Sequence, residues 1–456
     1  MTSLPGSFLY ILPLISFASA LHSHLPASIS STGLRLATRA SSSTKQNNAV
    51  GNVVDITAPR DVSSLGEWAS NWGVQAADCF QLDSDNDADV YAITNQDLPE
   101  NSPVLYIPNE LILTGSKARL EMGEMSYGAE QMLMNSEASN RISQFYLFLK
   151  VLKEYELGEE SVYLPWLNSL PRFFSNGASM TDFCYGCLPP YAAEVSLTEK
   201  RSLRHFVEAL REVPFLSSES KSNQELTTWA FSVVHTRYFT MPGGDMCIVP
   251  LADFFNHHGS EDVSISYDDN GNCYAYSTRD VPAGQPLRIC YGDPTNPSNL
   301  LARYGFLDES SPATFCKFTI KNPSQEHINM GYDESRMLFY NDGSISQEVW
   351  DVLLFQELAQ VSPDDQQLFY NAHMNNDEAL KRKYHELYFP QTLSALRNHV
   401  DFLLNELEEL GMGLETQMDQ GLDPWRYPRL DLILRHNEFV KNTFELVQQN
   451  LHNMSS

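Results

Sequence analysis

Three short segments, taken in chain order, decide the fold that this sequence predicts. They are LADFFNH at residues 251–257, VPAGQ at 281–285 leading to ICYG at 289–292, and NLLARYGF at 299–306. Each has an ordinary interpretation when taken alone, because Asn-His and Ala-Gly pairs usually form turns and Tyr-Gly-Phe often ends a strand. Their order within one stretch of chain is the informative feature, so the surrounding sequence matters.

The sequence around these segments predicts short strands interrupted by helices. Residues 62–114 alternate apolar and polar positions, most clearly in VLYIPNELILT, and DVSISYDDNGNCYAYS predicts a hairpin that turns at Asp269-Asn270-Gly271. Between about 118 and 240, ISQFYLFLKVLKEYEL and LTTWAFSVVHTRYF have apolar residues at helical spacing. The β part is therefore predicted to be split by a helical insertion.

The sequence from about residue 333 onward predicts helices. ISQEVWDVLLFQELA, LSALRNHVDFLLNELEEL and LDLILRHNEFVKNTFELVQQ all show the helical period, and strands have no obvious place. At 456 residues, two folded units are expected. We therefore predict an α+β protein with a separate all-α domain at its C-terminal end.

Charge and cysteine content exclude several classes of function. The formal net charge of -28 would repel a nucleic-acid backbone and attract basic partners, although it could also serve only for solubility. Seven scattered cysteines do not form the pattern of a small disulfide scaffold. Cys184 and Cys187 have metal-like spacing, but no second close pair follows, so packing is the expected role and no metal is predicted.

Together, the three segments and the split β part resemble the SET-domain protein methyltransferases. They are specifically similar to the branch of the Rubisco large-subunit lysine methyltransferases. The resemblance extends from Trp68 to the C-terminal helices and includes SVYLPWLNSLP and WAFSVVHTRYF. It implies a β-rich, pseudoknotted SET domain over residues 60–320, with the insertion at about 118–240, and an all-α substrate-binding domain over 325–456.

The resemblance also implies a reaction, which is methyl transfer from S-adenosylmethionine to a side-chain nitrogen of a protein substrate, expected to be lysine. Tyr291 matches the catalytic tyrosine of the family, and a phenol there can hydrogen-bond the incoming amine. Asn256 and His257 match residues that contact the cofactor. The other matched positions are Asp253, Arg237 and Phe306 at the cofactor, and Tyr304 and Thr236 at the acceptor.

One stretch departs from the family pattern. Relatives carry a glycine-rich turn in the first strand pair, whereas Asp83 to Ile93 here contains no glycine. Because glycine allows a backbone to approach a ligand closely, this half of the cofactor site should differ. This departure keeps open the alternative of a SET-like scaffold without turnover that binds proteins through its C-terminal domain. A protein-histidine methyltransferase is a second alternative, because the family branch that the sequence resembles includes both activities.

The N-terminal residues predict a leader in two parts. FLYILPLISFA followed by Ala18-Ser19-Ala20 is typical of a signal peptide over residues 1–20, and residues 21–55 have transit-peptide composition. This order resembles the plastid presequences of algae with complex plastids; simple secretion is the alternative. In a plastid, the resemblance suggests Rubisco large subunit or an aldolase as substrate. We expect a monomeric mature protein that binds neither nucleic acid nor membrane.

Overall fold

The computed structural model describes residues 60–84, 89–315, 320, 323–333, 335–419 and 426–454. The predicted leader, residues 1–55, and the centre of the acidic stretch, residues 85–88, lie outside the described residues. The signal-peptide and transit-peptide assignments therefore stay predictions.

The described residues form short strands and many helices. The strands are β1 (Gln75–Ala76), β2 (Phe80–Ser84), β3 (Val90–Thr94), β4 (Pro103–Ile107), β5 (Leu113–Thr114), β6 (Tyr238–Thr240), β7 (Met246–Ile248), β8 (Asn256–His257), β9 (Val263–Tyr267), β10 (Cys273–Ser277), β11 (Arg288–Ile289), β12 (Ala313–Phe315) and β13 (Leu338–Tyr340). The helices are α1 (Leu65–Asn71), α2 (Gly115–Met122), α3 (Tyr127–Met134), α4 (Ile142–Leu157), α5 (Leu164–Ser169), α6 (Asp182–Gly186), α7 (Pro190–Ala209), α8 (Ser218–Ser222), α9 (Gln224–Arg237), α10 (Pro297–Tyr304), α11 (Gln325–Asn329), α12 (Gln347–Val361), α13 (Pro363–Met374), α14 (Glu378–Asp419) and α15 (Leu430–Asn453). Within the described ranges, no helix is long and apolar enough to cross a bilayer.

Most strands pair in small antiparallel sheets, in the orders β1-β4-β10-β9, β5-β7-β6, β2-β3 and β12-β13. β9 and β10 form the hairpin that the sequence predicts, with Val263 opposite Ser277. Its turn contains Gly271 at a φ of +79°, a conformation that glycine adopts without the Cβ clash of other residues. The predicted turn is therefore confirmed.

β8 and β11 are the strands that pair in parallel. Arg288 lies opposite Asn256, and Ile289 lies opposite His257. Parallel strands need a crossover connection, which here contains the β9-β10 hairpin. This crossing brings the sequence segments 251–257 and 289–292 side by side, although a whole hairpin separates them along the chain.

Helices α2 to α9 form the predicted insertion between β5 and β6. Aromatic rings fill its centre, with the ring of Phe206 centred 5.2 Å from that of Phe145 and 5.3 Å from that of Phe231. These edge-to-face contacts fasten α9 to α4 and α7, since the three rings come from these three helices. The C-terminal end of α9 is thereby held against the sheet that contains β6 and β7.

One helix lies in a region for which the sequence predicts strands. Within residues 62–114, α1 buries Leu65, Trp68 and Ala69. Their spacing of three and four residues puts these side chains on one face of a helix. The strand prediction is wrong for this segment because a helix of two turns is too short to show a clear period.

One strand lies in the segment predicted to be all-α. β13 pairs antiparallel with β12, which precedes this segment in the chain, with Phe339 opposite Thr314. A turn at Gly343, with a φ of +79°, follows β13 and returns the chain toward α12. The strand forms by pairing with β12, which the sequence assigns to the other domain. Local periodicity cannot reveal such a pairing, so the strand was not predicted. The other elements of the C-terminal domain among the described residues are helices, as predicted.

The C-terminal helix α15 also packs against the insertion. Ile433 lies in a buried apolar cluster with Met180, Cys184, Cys187 and Leu301. Burial raises the pKa of the Cys187 thiol to about 11. Both cysteines of the Cys184-Cys187 pair are therefore side chains of a domain contact.

Inside the C-terminal domain, the buried carboxylate of Asp351 joins three helices. It lies 2.7 Å from Nε2 of His385, 2.9 Å from Nζ of Lys381 and 3.4 Å from Nδ1 of His373, and it accepts a 2.8 Å hydrogen bond from Gln347. Burial raises the pKa of Asp351, but hydrogen bonds from His385, Gln347 and Lys381 outweigh burial and lower the pKa to about 2. Because the folded state lowers the pKa of this carboxyl, its ionised form stabilises the fold at pH values above the ordinary carboxyl pKa. This stabilisation is lost as the pH falls toward 2.

We expect Asp351→Asn to lower the free energy of unfolding by about 3 kcal/mol at pH 7, because it removes the nearer, buried carboxylate from the buried Lys381 ammonium. Urea unfolding followed by circular dichroism measures the change. The control is Glu378→Gln, which removes the exposed carboxylate 3.6 Å from the same ammonium and should cost under about 0.5 kcal/mol. Equal costs for the two variants would contradict the role of the buried network.

Candidate active site

A cavity of about 280 Å³ lies where the end of α9 meets the crossing of β8 and β11. Its wall includes five of the residues that the sequence analysis assigns to the site. The lining residues are Thr236, Arg237, Tyr238, Phe239, Thr240, Asp253, Phe255, Ile289, Cys290, Tyr291, Arg303 and Tyr304.

Tyr291 is fixed at both ends by the segment that precedes and forms β8. Its backbone N–H donates to Nδ1 of His257 at 3.0 Å, and its hydroxyl donates to the carbonyl oxygen of Phe255 at 2.6 Å. Burial raises the pKa of the phenol well above its ordinary value. The Tyr291 hydroxyl therefore keeps its proton at neutral pH and presents its oxygen lone pairs as acceptors.

The imidazole of His257 has a structural role beyond the backbone role that the family resemblance implies. Nδ1 accepts the Tyr291 N–H, and Nε2 lies 3.6 Å from a carboxylate oxygen of Asp308. Burial lowers the pKa of His257, while the neighbouring Asp308 partly raises it. A neutral ring is required because protonation of Nδ1 would remove the acceptor for Tyr291.

Arg237 and Asp253 form a buried ion pair at the wall of the cavity. The guanidinium donates to the backbone oxygen of Asp253 at 2.7 Å and to its carboxylate at 3.1 Å. The same carboxylate oxygen accepts the indole N–H of Trp166 at 3.0 Å. The other carboxylate oxygen and Nε of Arg237 are buried without a hydrogen bond to any described residue. The pair thus retains one acceptor and one donor for a ligand.

Asn256, three residues after Asp253 in the sequence, does not line the cavity. Its side-chain amide makes no hydrogen bond to other residues in the part of the chain that the structure describes. The Thr236 hydroxyl, by contrast, donates to the backbone oxygen of Ser232 at 2.8 Å within α9. Of these two predicted residues, Asn256 has both donor and acceptor groups available, whereas the Thr236 hydroxyl can only accept a further hydrogen bond.

Aromatic rings surround Tyr291. The ring centroid of Tyr304 lies 4.7 Å from that of Tyr291, and the Tyr304 hydroxyl donates to the Tyr291 backbone oxygen at 3.1 Å. Burial raises the pKa of Tyr304 to about 12. The Phe306 ring lies 5.5 Å from the His257 ring, behind Tyr291 and outside the cavity wall. Tyr304 is therefore a wall residue, and Phe306 packs against the crossing.

The stretch without glycine forms the hairpin of β2 and β3. Ser84 pairs with Val90 at its end, just before the segment outside the described residues. Burial raises the pKa of Tyr291, and the negative charge of Asp89 adds slightly to this rise. Every described position of this strand pair therefore carries a side chain.

Comparison of the structure with solved structures gives the fold. It is similar to the SET domain of LSMT bound to lysine and AdoHcy, with a TM-score of 0.59 and 15% identity over 86% of this chain and 91% of that chain. It is also similar to Rubisco LSMT bound to AdoMet, with a TM-score of 0.58 and 16% identity over 86% and 92% of the two chains. The chain has the SET-domain fold of Rubisco LSMT. No protein-family model and no curated protein sequence matches it.

Within this SET fold, the sequence analysis missed part of the cavity wall. Tyr238, Phe239, Thr240, Phe255, Ile289, Cys290 and Arg303 line it without having been predicted. Each is adjacent or close in sequence to a predicted residue, as Tyr238 is to Arg237. Their position next to a motif was therefore the sequence feature that could have identified these residues. Which of the neighbouring residues face the cavity depends on the turns that end α9 and β8.

We expect His257 to remain neutral at pH 7 and to titrate below pH 6.5, its ordinary value. Because burial disfavours the imidazolium in the folded state, the contribution of His257 to folding stability is fully present above pH 6.5. This contribution falls as the pH drops below 6.5. NMR of protein labelled with ¹³C-histidine, with His257→Gln to assign the resonance, measures the midpoint. A midpoint at or above 6.5 would mean that the ring is charged or exposed, contrary to the geometry.

Proposed function

We propose that this protein is an S-adenosylmethionine-dependent protein N-methyltransferase that acts on lysine. The fold supports the reaction class, since the similar solved structures are of LSMT with AdoMet, with AdoHcy and lysine, and with sinefungin and monomethyllysine. The observation that carries the proposal is the Tyr291 hydroxyl. It lies at the wall of a cavity with its proton committed to the Phe255 oxygen.

The side chains beside the cavity suit the amino-acid end of the cofactor. A carboxylate needs donors such as the Arg237 guanidinium and the Asn256 amide, and an ammonium group needs an acceptor such as the unpaired oxygen of Asp253. We infer that these three residues would hold it, with Phe306 and the His257 backbone nearby. S-adenosylmethionine supplies an electrophilic methyl group, and the protein supplies position.

The acceptor side of the site requires a neutral nitrogen. A lysine ammonium, with an ordinary pKa of about 10.4, has no lone pair with which to attack a methyl carbon. Tyr291 is not suited to remove the proton, because its own hydroxyl is already a bound donor with a raised pKa. Its oxygen can instead accept an N–H from the neutral amine and thereby orient the lone pair. Tyr291 is therefore proposed to position the amine.

Asn256→Ala should weaken S-adenosylmethionine binding by about 10- to 100-fold, because it removes a hydrogen bond to a charged ligand group. Isothermal calorimetry on the protein without its predicted leader measures the affinity. Asn371→Ala, at an exposed position of α13, is the control and should bind as wild type does. A folded wild-type protein that binds no cofactor would favour the scaffold alternative, with the hairpin β2-β3 as the cause.

Tyr291→Phe should lower kcat by about 10- to 100-fold and leave cofactor affinity within about twofold, because misplacing an acceptor nitrogen affects the reaction more than the donor's binding. Transfer of radiolabelled methyl groups to a library of lysine-containing peptides measures the rate. Tyr276→Phe on β10 is the control, since it removes a hydroxyl outside the cavity. Full activity of Tyr291→Phe would remove Tyr291 from the site. Transfer to histidine peptides alone would establish the histidine alternative.

A further inference from the structure

Arg303 is a cavity residue with an unusual environment. Its guanidinium lies between two aromatic rings, 4.6 Å from the ring centroid of Tyr238 and 4.9 Å from that of Tyr304. Nε is buried without a hydrogen bond, and among the described residues no carboxylate forms an ion pair with Arg303. The two ring faces provide its electrostatic stabilisation.

The other charged side chains of the cavity wall neutralise each other. The carboxylates of Asp89 and Asp308 act on Tyr291 and His257 but do not line the cavity. Of the lining residues, Arg237 and Asp253 neutralise each other through their ion pair. Tyr291 and Tyr304 keep their protons at neutral pH because burial raises both pKa values. The other wall residues with an ionisable side chain, Tyr238 and Cys290, cannot become positively charged.

The groups behind the wall do not offset Arg303 either. Burial lowers the pKa of His235 although Glu199 raises it, and the positive charges of Arg141 and Arg303 add to the lowering. The carboxylate of Glu199 lies 3.0 Å from that imidazole and 2.6 Å from the Arg141 guanidinium, so its charge is taken by Arg141. Arg303 is therefore the charged side chain of the cavity wall that no ion pair with a described residue neutralises.

We propose that Arg303 makes the acceptor cavity selective for a neutral nitrogen, so that lysine is bound as the free amine and its ammonium form is excluded. This inference rests on the proposed function. The excluded proton is released to bulk solvent before the side chain enters the cavity. The Tyr304 ring contacts both Arg303 and the Tyr291 ring, so one ring separates the cation from the proposed acceptor position.

Over about 10 Å at a protein-surface dielectric, a single charge shifts an amine titration by about one pH unit. Removal of the charge should therefore move the rising limb of the kcat profile about one unit to higher pH, since kcat reports groups of the enzyme-substrate complex. At pH 7, KM and kcat should both fall, because the ammonium form then binds unproductively.

The test compares Arg303→Met, Arg303→Lys and wild type in methyl transfer to the lysine peptide library from pH 6 to 10. Arg303→Met keeps an apolar side chain without charge, and Arg303→Lys keeps the charge without the planar group. Arg211→Met, at an exposed position outside the cavity, controls for the net charge. If the charge of Arg303 is responsible, Arg303→Met shifts the pH profile of kcat and Arg303→Lys keeps the wild-type profile. A shift in the Lys variant alone, or in neither variant, overturns the inference.

A second measurement needs no methyl transfer. Ligand-observed NMR at pH 7 compares binding of n-butylammonium with that of 1-butanol, a neutral molecule of the same length. Arg303→Met should raise the ammonium-to-alcohol affinity ratio by about tenfold over wild type, and Arg303→Lys should not. An unchanged ratio overturns the inference even if the enzyme is active. Absence of methyl transfer by the wild-type protein overturns the methyltransferase proposal. In that case the ammonium-to-alcohol affinity ratio still tests the selectivity of the cavity.

Discussion

The parallel crossing of β8 and β11 is the constraint on which the rest of the site depends. It puts Tyr291 beside the backbone of Phe255 and the ring of His257, where the phenol and its own N–H are both bound. Two hydrogen bonds at opposite ends of one residue leave it little rotational freedom. Because a rigid acceptor oxygen is what an orientation mechanism needs, the crossing that defines the fold also prepares the proposed chemistry.

The insertion and the crossing contribute different parts of the cavity. The crossing supplies the aromatic and backbone wall around Tyr291, and α9 supplies Arg237 at the point where the helix ends and β6 begins. The packed rings of α4, α7 and α9 hold that helix end in place. The buried ion pair of Arg237 with Asp253 then connects the two parts, so a change in the aromatic core of the insertion would be transmitted to the cavity through α9.

Charge distinguishes this cavity from the rest of the molecule. The chain carries a formal net charge of -28, yet its cavity wall retains one positive charge on Arg303. An acidic surface attracts basic protein substrates over long distances. A cationic wall selects against the ammonium group at short range. The two effects are compatible. Solvent screens the attraction between the acidic surface and a basic substrate, whereas burial strengthens the repulsion of the ammonium group inside the cavity.

Much of the fold follows from local sequence. The bounds of α4, the β9-β10 turn at Gly271 and the order of the three segments could be read directly, because helical period, turn chemistry and chain order are properties of short windows. Tyr291 and Arg237 were predicted from the resemblance and do line the cavity. The tertiary structure alone decided the pairing of β13 with β12, the Asp351 network and the placement of Arg303 between two rings. Each of these joins segments distant in sequence, and their contact energies depend on distances that no local pattern encodes.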